Sequence, residues 1–385
     1  MNIVMSADCF YPAQMGGPSN AIYWQAKALA KAGHDVTIVA TSESLPTSVV
    51  LDRWLLLDCG RVIYTRNPHF YLPLKHIWYG WSAIRRAEIV HVNSLFYPAS
   101  MIWVLMSLLL RKPVVWSPHG ELSPVALSFR PRLKRTLLRF FRLFHASLSF
   151  HATAEAETTH IQQHFGAKAK VGEIPNSMDL SSPMVRTPRP YLLFMGRIHP
   201  IKAIDCLLVA LSRSVPFLDS DYTLIIAGPT ADKAYGQRLM ELVNTLNLST
   251  KVFFIGPVYG TYKEQLYADA LLLVLPSHSE NFGNVVIESL AQGTPVIAAT
   301  NTPWRMLETE QAGRWVDNDP DTLRQAIDQF LLLPSDKYEA FRTRAFRLGR
   351  QRFDSTTSVT QWERFYADVY QRSTHSETQS TTYEQ

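Results

Sequence analysis

The sequence predicts an α/β protein of two domains, each a parallel sheet with helices on both faces, turned toward each other across a central cleft. Three observations predict it. Short apolar runs alternate with segments of helical periodicity along nearly the whole chain. The alternation restarts after a Pro- and Ser-rich stretch near residues 175–190. At 385 residues the chain is also too long for one typical core.

The elements follow in order. NIVMSA reads as a buried strand, FYPAQMGGPSN as a loop holding Gly16 and Gly17, and AIYWQAKALAKAG as a helix stopped by Gly33. DVTIVA is the next strand, and IVHV (89–92), PVVWS (113–117) and SLSFHAT (147–153) are further ones. LFYPASMIWVLMSLLL (95–110) is too short for a membrane span, which needs about 20 apolar residues, and Pro98 interrupts it. It reads as a buried helix between strands. The second series is YLLFMGR (191–197), TLIIAG (223–228), VFFIG (252–256), LLLVLPS (271–277) and TPVIAAT (294–300). SVTQWERFYADVY is an amphipathic helix placed to pack back on the first domain. The expected domains are therefore 1–178 with the helix at about 355–372, then 179–354, with a polar, disordered tail at 373–385.

Bulk properties restrict the function classes only loosely. A net charge of +5 and a pI near 9.0 suit an anionic ligand, a nucleic acid or an acidic membrane surface. No nucleic-acid-binding motif is present, and none is expected to bind. Cys9, Cys59 and Cys206 are far apart, so neither a zinc site nor a disulfide framework is indicated. The N-terminus lacks a secretory signal, and a cytoplasmic protein is expected.

The segment PSHSENFGNVVIESLAQGTPV (276–296) carries the most chemistry. It reads as a strand end, the loop HSENFG and a helix opening at NVVIE. Backbone N–H groups at a helix start have no intrahelical partner, and the dipole there favours an anion. Gly283 lets a phosphate approach the backbone. Glu280 precedes the helix and Glu288 lies about one turn into it, where a carboxylate can accept hydrogen bonds from ribose hydroxyls. Either charge alone fits equally a solvated loop residue and a helix residue favoured by the dipole. Arg197 and Lys202 follow another strand and offer two fixed cations to a departing diphosphate. His119, after PVVWS, can hydrogen-bond a sugar hydroxyl or a phosphate oxygen. Glu121 beside it is a weaker candidate.

Taken together, these segments resemble retaining glycosyltransferase family 4, whose members have the GT-B fold of two Rossmann-like domains. The resemblance covers nearly the whole chain. It rests on Gly16-Gly17, SPHGELSP (117–124), IPNSMD (174–179), GRIHPIK (196–202), FIGPV (254–258) and the E-x7-E string ENFGNVVIE. It implies that Arg197 and Lys202 hold the donor diphosphate, with Gly16 and Gly17 near it or near the acceptor. It implies that His119 and Glu280 meet the donor sugar and that Glu288 meets the ribose. Phe282, Gly283, Asn284, Val285 and Val286 fall in the donor loop, the last three offering backbone N–H groups, and Val258 meets the base. The first domain is then the acceptor side and the second the nucleotide-sugar side. No cofactor or metal is expected, because cations and a helix terminus take the charge. Asp317-Asn318-Asp319 has the letters of a metal motif but sits in a polar loop and reads as structural.

There is one departure: Ser177 stands where the family motif P-N-G-x-D has glycine, which puts that turn in question. The expected activity is a retaining, metal-independent transfer of a sugar from a nucleotide-diphosphate donor to a glycan or lipid-linked oligosaccharide. Polysaccharide or lipopolysaccharide assembly at the cell surface is its expected setting. The rivals are a nucleotide-sugar epimerase of the same fold and a non-catalytic sugar-nucleotide- or glycan-binding protein. FRPRLKRTLLRFFRLFHASL (129–148) interleaves Arg130, Arg132, Lys134, Arg135, Arg139 and Arg142 with apolar residues. It reads either as a domain helix with a solvated basic face or as a peripheral contact with an anionic membrane.

Overall fold

The computed structural model describes residues 1–13, 17–67, 69–184 and 187–381, with side chains as far as 373. The chain forms two compact units: Met1–Asp179 together with the segment from Ser355 onward, and Leu180–Asp354.

In the first unit the strands are β1 (Asn2–Ala7), β2 (Asp35–Thr41), β3 (Trp54–Leu57), β4 (Gly60–Thr65), β5 (Ile89–Asn93), β6 (Val114–Ser117), β7 (Leu148–Ala152) and β8 (Lys170–Glu173). They lie in the order β3-β4-β2-β1-β5-β6-β7-β8, all parallel except β3, which pairs antiparallel with β4. Alternate residues of each central strand serve opposite faces. Val4, Val39 and Val92 join the apolar cluster on one side, whereas Ile3, Met5 and Ile38 join the other.

The last helix, Ser355–Thr381, places Trp362, Tyr366 and Val369 in that second cluster. These residues are spaced as one helix face, which is why the chain returns to this unit after leaving it. Gly172 in β8 admits the helix, since a Cβ there would come within 2.6 Å of the Phe365 ring. The helix continues to Thr381, past its expected end near 372 and into the segment expected to be disordered. Residues 382–385 lie outside those described.

The second unit holds β9 (Tyr191–Met195), β10 (Thr223–Ala227), β11 (Val252–Gly256), β12 (Leu272–Leu275), β13 (Val296–Ala299) and β14 (Gly313–Val316). Their order is β11-β10-β9-β12-β13-β14, all parallel. Counted within the unit this is 3-2-1-4-5-6, the doubly wound order, which reverses between β9 and β12. In open sheets of this order, ligands bind outside the carboxyl ends of the strands at that reversal.

Strands β3, β4, β8 and β14 were not expected. Leu56 in β3 is exposed, and Arg314 interrupts the apolar run of β14, so neither reads as a buried strand. The helix expected over 95–110 is Pro98–Leu109. It is only half-buried: Trp103 and Val104 enter the core, but Leu105 and Leu109 face solvent. Among the described residues no helix is long and apolar enough to cross a membrane.

Candidate functional site

In the second unit the candidate residues gather at the β9/β12 reversal. After β9 the chain passes Arg197 and forms a single turn, Pro200–Lys202, capped by His199, whose Nδ1 accepts the Ile201 N–H at 3.2 Å. After β12 it enters the loop 276–283. The His278 N–H donates to the Ile201 carbonyl at 2.8 Å, and this bond ties the two loops together. Lys202 and Glu280 meet above it as an ion pair. Ser277, fully buried, donates its hydroxyl to the same Glu280 oxygen at 2.8 Å. Arg197 is exposed and has no ion pair or hydrogen bond among the described residues.

The loop turns into the helix Asn284–Ala291 through Gly283, at φ +89° and ψ +66°. L-residues with a Cβ rarely adopt this left-handed backbone. A Cβ there would also stand 3.2 Å from both Leu275 Cδ2 and Trp304 Nε1. Trp304 donates its indole N–H to the Phe282 carbonyl, and its ring packs edge-on to Phe282 and Phe353. The Phe282 ring is therefore buried and anchors the expected donor loop from beneath. The backbone donors at the helix start also differ from expectation. The Val286 N–H is taken by the Gly283 carbonyl at 2.9 Å. The Val285 N–H has no acceptor among the described residues, as a helix terminus leaves it.

One turn on, Glu288 is held at both oxygens. Lys263 pairs with Oε1 at 2.6 Å and Tyr267 donates its hydroxyl to Oε2 at 2.6 Å. Burial, with the Glu288 charge beside it, pushes the Tyr267 phenol well above its ordinary range, so it remains a donor. Lys263 and Tyr267 stand on the helix Gly260–Asp269 that follows β11, one turn apart on one face. Val258 lies in the short loop before that helix.

In the first unit His119 follows β6 in a left-handed conformation, φ +49°. Its Nε2 lies 2.7 Å from Asn93 Oδ1 at the end of β5, and Asn93 Nδ2 donates to the Ser6 carbonyl at 2.8 Å. That second bond fixes the amide, so Nε2 carries the proton. Burial pushes the His119 pKa down to about 3, so the ring is neutral with a lone pair at Nδ1. Glu157 holds the turn by accepting from the Gly120 N–H at 2.6 Å and the Thr153 N–H at 2.8 Å. Glu121 turns inward, accepting from Ser94 Oγ at 2.8 Å and from the Leu95 and Phe96 N–H groups. Burial raises it to about 7. Gly17 begins the helix Gly17–Lys31, and Gly16 lies outside the described residues.

A buried relay runs beside His119. His151 Nε2 donates to the Ile174 carbonyl at 2.8 Å, which leaves Nδ1 to accept the Ser117 hydroxyl at 2.8 Å. Ser117 then accepts from His91 Nε2 at 2.6 Å, and His91 Nδ1 accepts from Tyr366 at 2.7 Å. Gln25 closes the series, donating to Tyr366 at 2.9 Å. Because a carbonyl only accepts, every proton position follows, provided both rings are neutral. Burial depresses both histidines, so they are.

Ser177 settles the question of its turn. It is not in the left-handed region, and its hydroxyl lies 2.6 Å from Ser358 of the last helix. No glycine is needed there. Asp319 caps the helix Pro320–Leu331 through the Asp321 and Thr322 N–H groups, and Asp317 accepts from Thr300 at 2.9 Å.

The sequence reading did not single out Ser277, Lys263 and Tyr267 in the second unit, nor Asn93, His91, His151 and Glu157 in the first. The strand IVHVN offered a signal, since polar residues in an otherwise apolar buried strand need partners. Lys263 and Tyr267 sit on a helix with no distinguishing pattern.

Comparison with known proteins joins these two sites in one family. The model "Glycosyltransferase Family 4" matches residues 15–182, and "Glycosyl transferases group 1" matches 182–347. A D-inositol 3-phosphate glycosyltransferase of Salinispora tropica is 34% identical over 186 residues, 46% of this chain and 36% of the relative. That of Mycolicibacterium smegmatis is 36% identical over 168 residues, 40% of this chain and 37% of the relative. The chain thus spans little more than a third of the length of these curated relatives. Among solved structures, sucrose-phosphate synthase from Thermosynechococcus elongatus superposes with a TM-score of 0.77 at 20% identity, covering 97% of this chain and all of the other. Anabaena HepE in complex with UDP and glucose gives 0.76 at 19% identity, covering 96% and 100%. WaaG, involved in lipopolysaccharide biosynthesis, gives 0.67 at 15% identity, covering 94% and 98%. At these identities the likeness establishes the GT-B fold.

Proposed function

Since the chain belongs to the group 1 glycosyltransferases, we propose that it transfers a sugar, with retention, from a nucleotide-diphosphate donor to a glycan or lipid-linked oligosaccharide. The observation that carries this reading is the pair of glutamate clusters at the β9/β12 reversal. Glu280 is held by Lys202 and Ser277, and Glu288 by Lys263 and Tyr267, with the Val285 N–H between them in sequence. HepE, a neighbour in fold, was solved with UDP and with UDP-glucose, which supports a donor of this class.

In this reading Lys202 and the exposed Arg197 neutralise the diphosphate, and the helix start at Asn284–Val285 receives a phosphate oxygen. Glu288 accepts from the ribose hydroxyls. Glu280 and His119 contact the sugar. The bond from the anomeric carbon to the phosphate oxygen breaks on the face where the acceptor oxygen attacks. The departing phosphate oxygen takes the acceptor's proton, so no protein carboxylate is consumed. The cations supply the charge stabilisation, and the reaction proceeds in excess chelator. Polysaccharide assembly at the inner face of the cytoplasmic membrane is the setting this reading gives.

The test is a thermal-shift screen of the purified chain against UDP-, GDP-, ADP- and dTDP-sugars, beside Arg197→Ala and Glu288→Ala. One nucleotide class is expected to stabilise the wild type and neither variant. Equal stabilisation of all three proteins overturns the site. Conversion of the donor sugar without any acceptor would indicate an epimerase instead.

A further inference from the structure

We propose that the face of the first unit built by segments 69–81 and 125–143 docks on an anionic lipid surface. The helix Leu74–Arg86 buries His76, Gly80 and Ile84 on one side. On the other side it exposes Leu74 at 67%, Trp78 at 69% and Trp81, a single stripe at i, i+4 and i+7. Phe70, Tyr71 and Leu72 extend that stripe into the preceding loop, all exposed. A soluble surface rarely concentrates large apolar and aromatic groups in this way without a partner.

The helix Pro131–Arg142 continues the same surface. It buries Leu138 and Phe141 but exposes Leu133, Phe140 and, just beyond its end, Leu143 at 75%. Arg132, Arg135, Arg139 and Arg142 recur at helical spacing beside this apolar stripe, all exposed. Contacts join the two segments. Arg130 Nη1 donates to the Tyr71 hydroxyl at 2.8 Å, and Phe70 packs on Tyr97 with ring centroids 5.3 Å apart. Lys134 lies 4.6 Å from the Phe96 ring centroid, so the 94–97 loop bridges them.

The charge decides the occupant. A second copy with its two-fold axis through the arginine stripe would set that stripe against its like, which is repulsive. An anionic bilayer instead meets the arginines with headgroup charge and the tryptophans and leucines with its acyl boundary. Tryptophan and tyrosine favour that boundary. The surface uses no residue of the two glutamate clusters, so this proposal stands or falls apart from the donor site.

The experiment is co-sedimentation of the full chain with vesicles of phosphatidylcholine alone and of phosphatidylcholine with phosphatidylglycerol. Two variants run alongside: Arg132→Glu/Arg139→Glu/Arg142→Glu, and Leu74→Ser/Trp78→Ser. The wild type is expected to bind the anionic vesicles and to be released by high salt. The charge variant should bind ~100-fold more weakly. The apolar variant should also lose binding, with a blue shift of tryptophan fluorescence seen only in the wild type. Circular dichroism and an unchanged nucleotide response confirm that the variants are folded. Equal binding to both vesicle types, or wild-type binding by the folded variants, overturns the proposal. So does a wild-type dimer that these variants dissociate.

Discussion

Lys202 and Glu280 stand in loops after different strands, 78 residues apart, yet pair with side chains only 15% and 11% exposed. Each charge in that setting depends on the other, because an unpaired partner keeps its desolvation cost. Lys202→Met and Glu280→Leu should each lower the stability of the second unit by roughly 2 kcal/mol, and the double variant by much less than their sum. Denaturant titration of the four proteins gives the coupling. Strictly additive losses would show that the two side chains act independently.

Glu288 predicts a more selective loss. Glu288→Gln should weaken binding of a nucleoside diphosphate by ~10-fold or more while leaving inorganic pyrophosphate unaffected. Tyr267→Phe should follow with a smaller effect, since it frees one carboxylate oxygen. Calorimetric titration with a 2′,3′-dideoxynucleotide separates the roles. If the glutamate variant also loses affinity for that analogue, the carboxylate is not reading ribose hydroxyls.

Gly283→Ala probes the loop itself. The left-handed backbone and the contacts 3.2 Å away at Leu275 and Trp304 leave no unstrained place for a methyl group. A loss of about 1–2 kcal/mol is expected. Nucleotide affinity should fall with it, because the donors at Asn284 and Val285 shift. A variant as stable as the wild type would show that the loop relaxes freely.

His76 links stability to pH. Burial holds its pKa at about 3, against an ordinary 6.5, and the Ala40 backbone beside the ring offsets this only in part. The unfolded chain therefore binds a proton between these values that the folded chain refuses. The stability is complete above pH 6.5 and falls as the pH drops toward 3, by about 1.4 kcal/mol per pH unit for this group. His119 and His151, held at about 3 and about 4, add to the slope. His76→Leu should reduce the acid slope by about one proton and raise stability at pH 5. Urea titrations at pH 7 and 5 check both signs, and an unchanged slope would mean that His76 is protonated in the folded chain.

Most central strands were legible because a parallel strand covered on both faces is apolar throughout, as in YLLFM and LLLVL. The antiparallel edge strand β3 was not, because its outward side chains belong to solvent and break no pattern against the loops around it. In the second unit, Arg197, Lys202, Glu280 and Glu288 stood out in the sequence because GRIHPIK and ENFGNVVIE resemble the motifs of the family. Their partners did not. Ser277 looks like any loop serine, and Lys263 like any surface lysine, until the packing of Gly260–Asp269 brings it to Glu288.

By itself the sequence determined the two-unit α/β plan, the segment that returns to the first unit and the family to which the loops belong. These depend on local periodicity and on motifs contiguous in the chain. Tertiary structure alone decided that Phe282 supports the loop from beneath, that Ser177 needs no glycine conformation and that His119 is a neutral ring fixed by Asn93. It also decided which hydroxyls and cations hold each glutamate. Those outcomes depend on burial and on partners distant in sequence, because desolvation and hydrogen-bond geometry arise only once strands far apart in the chain lie side by side.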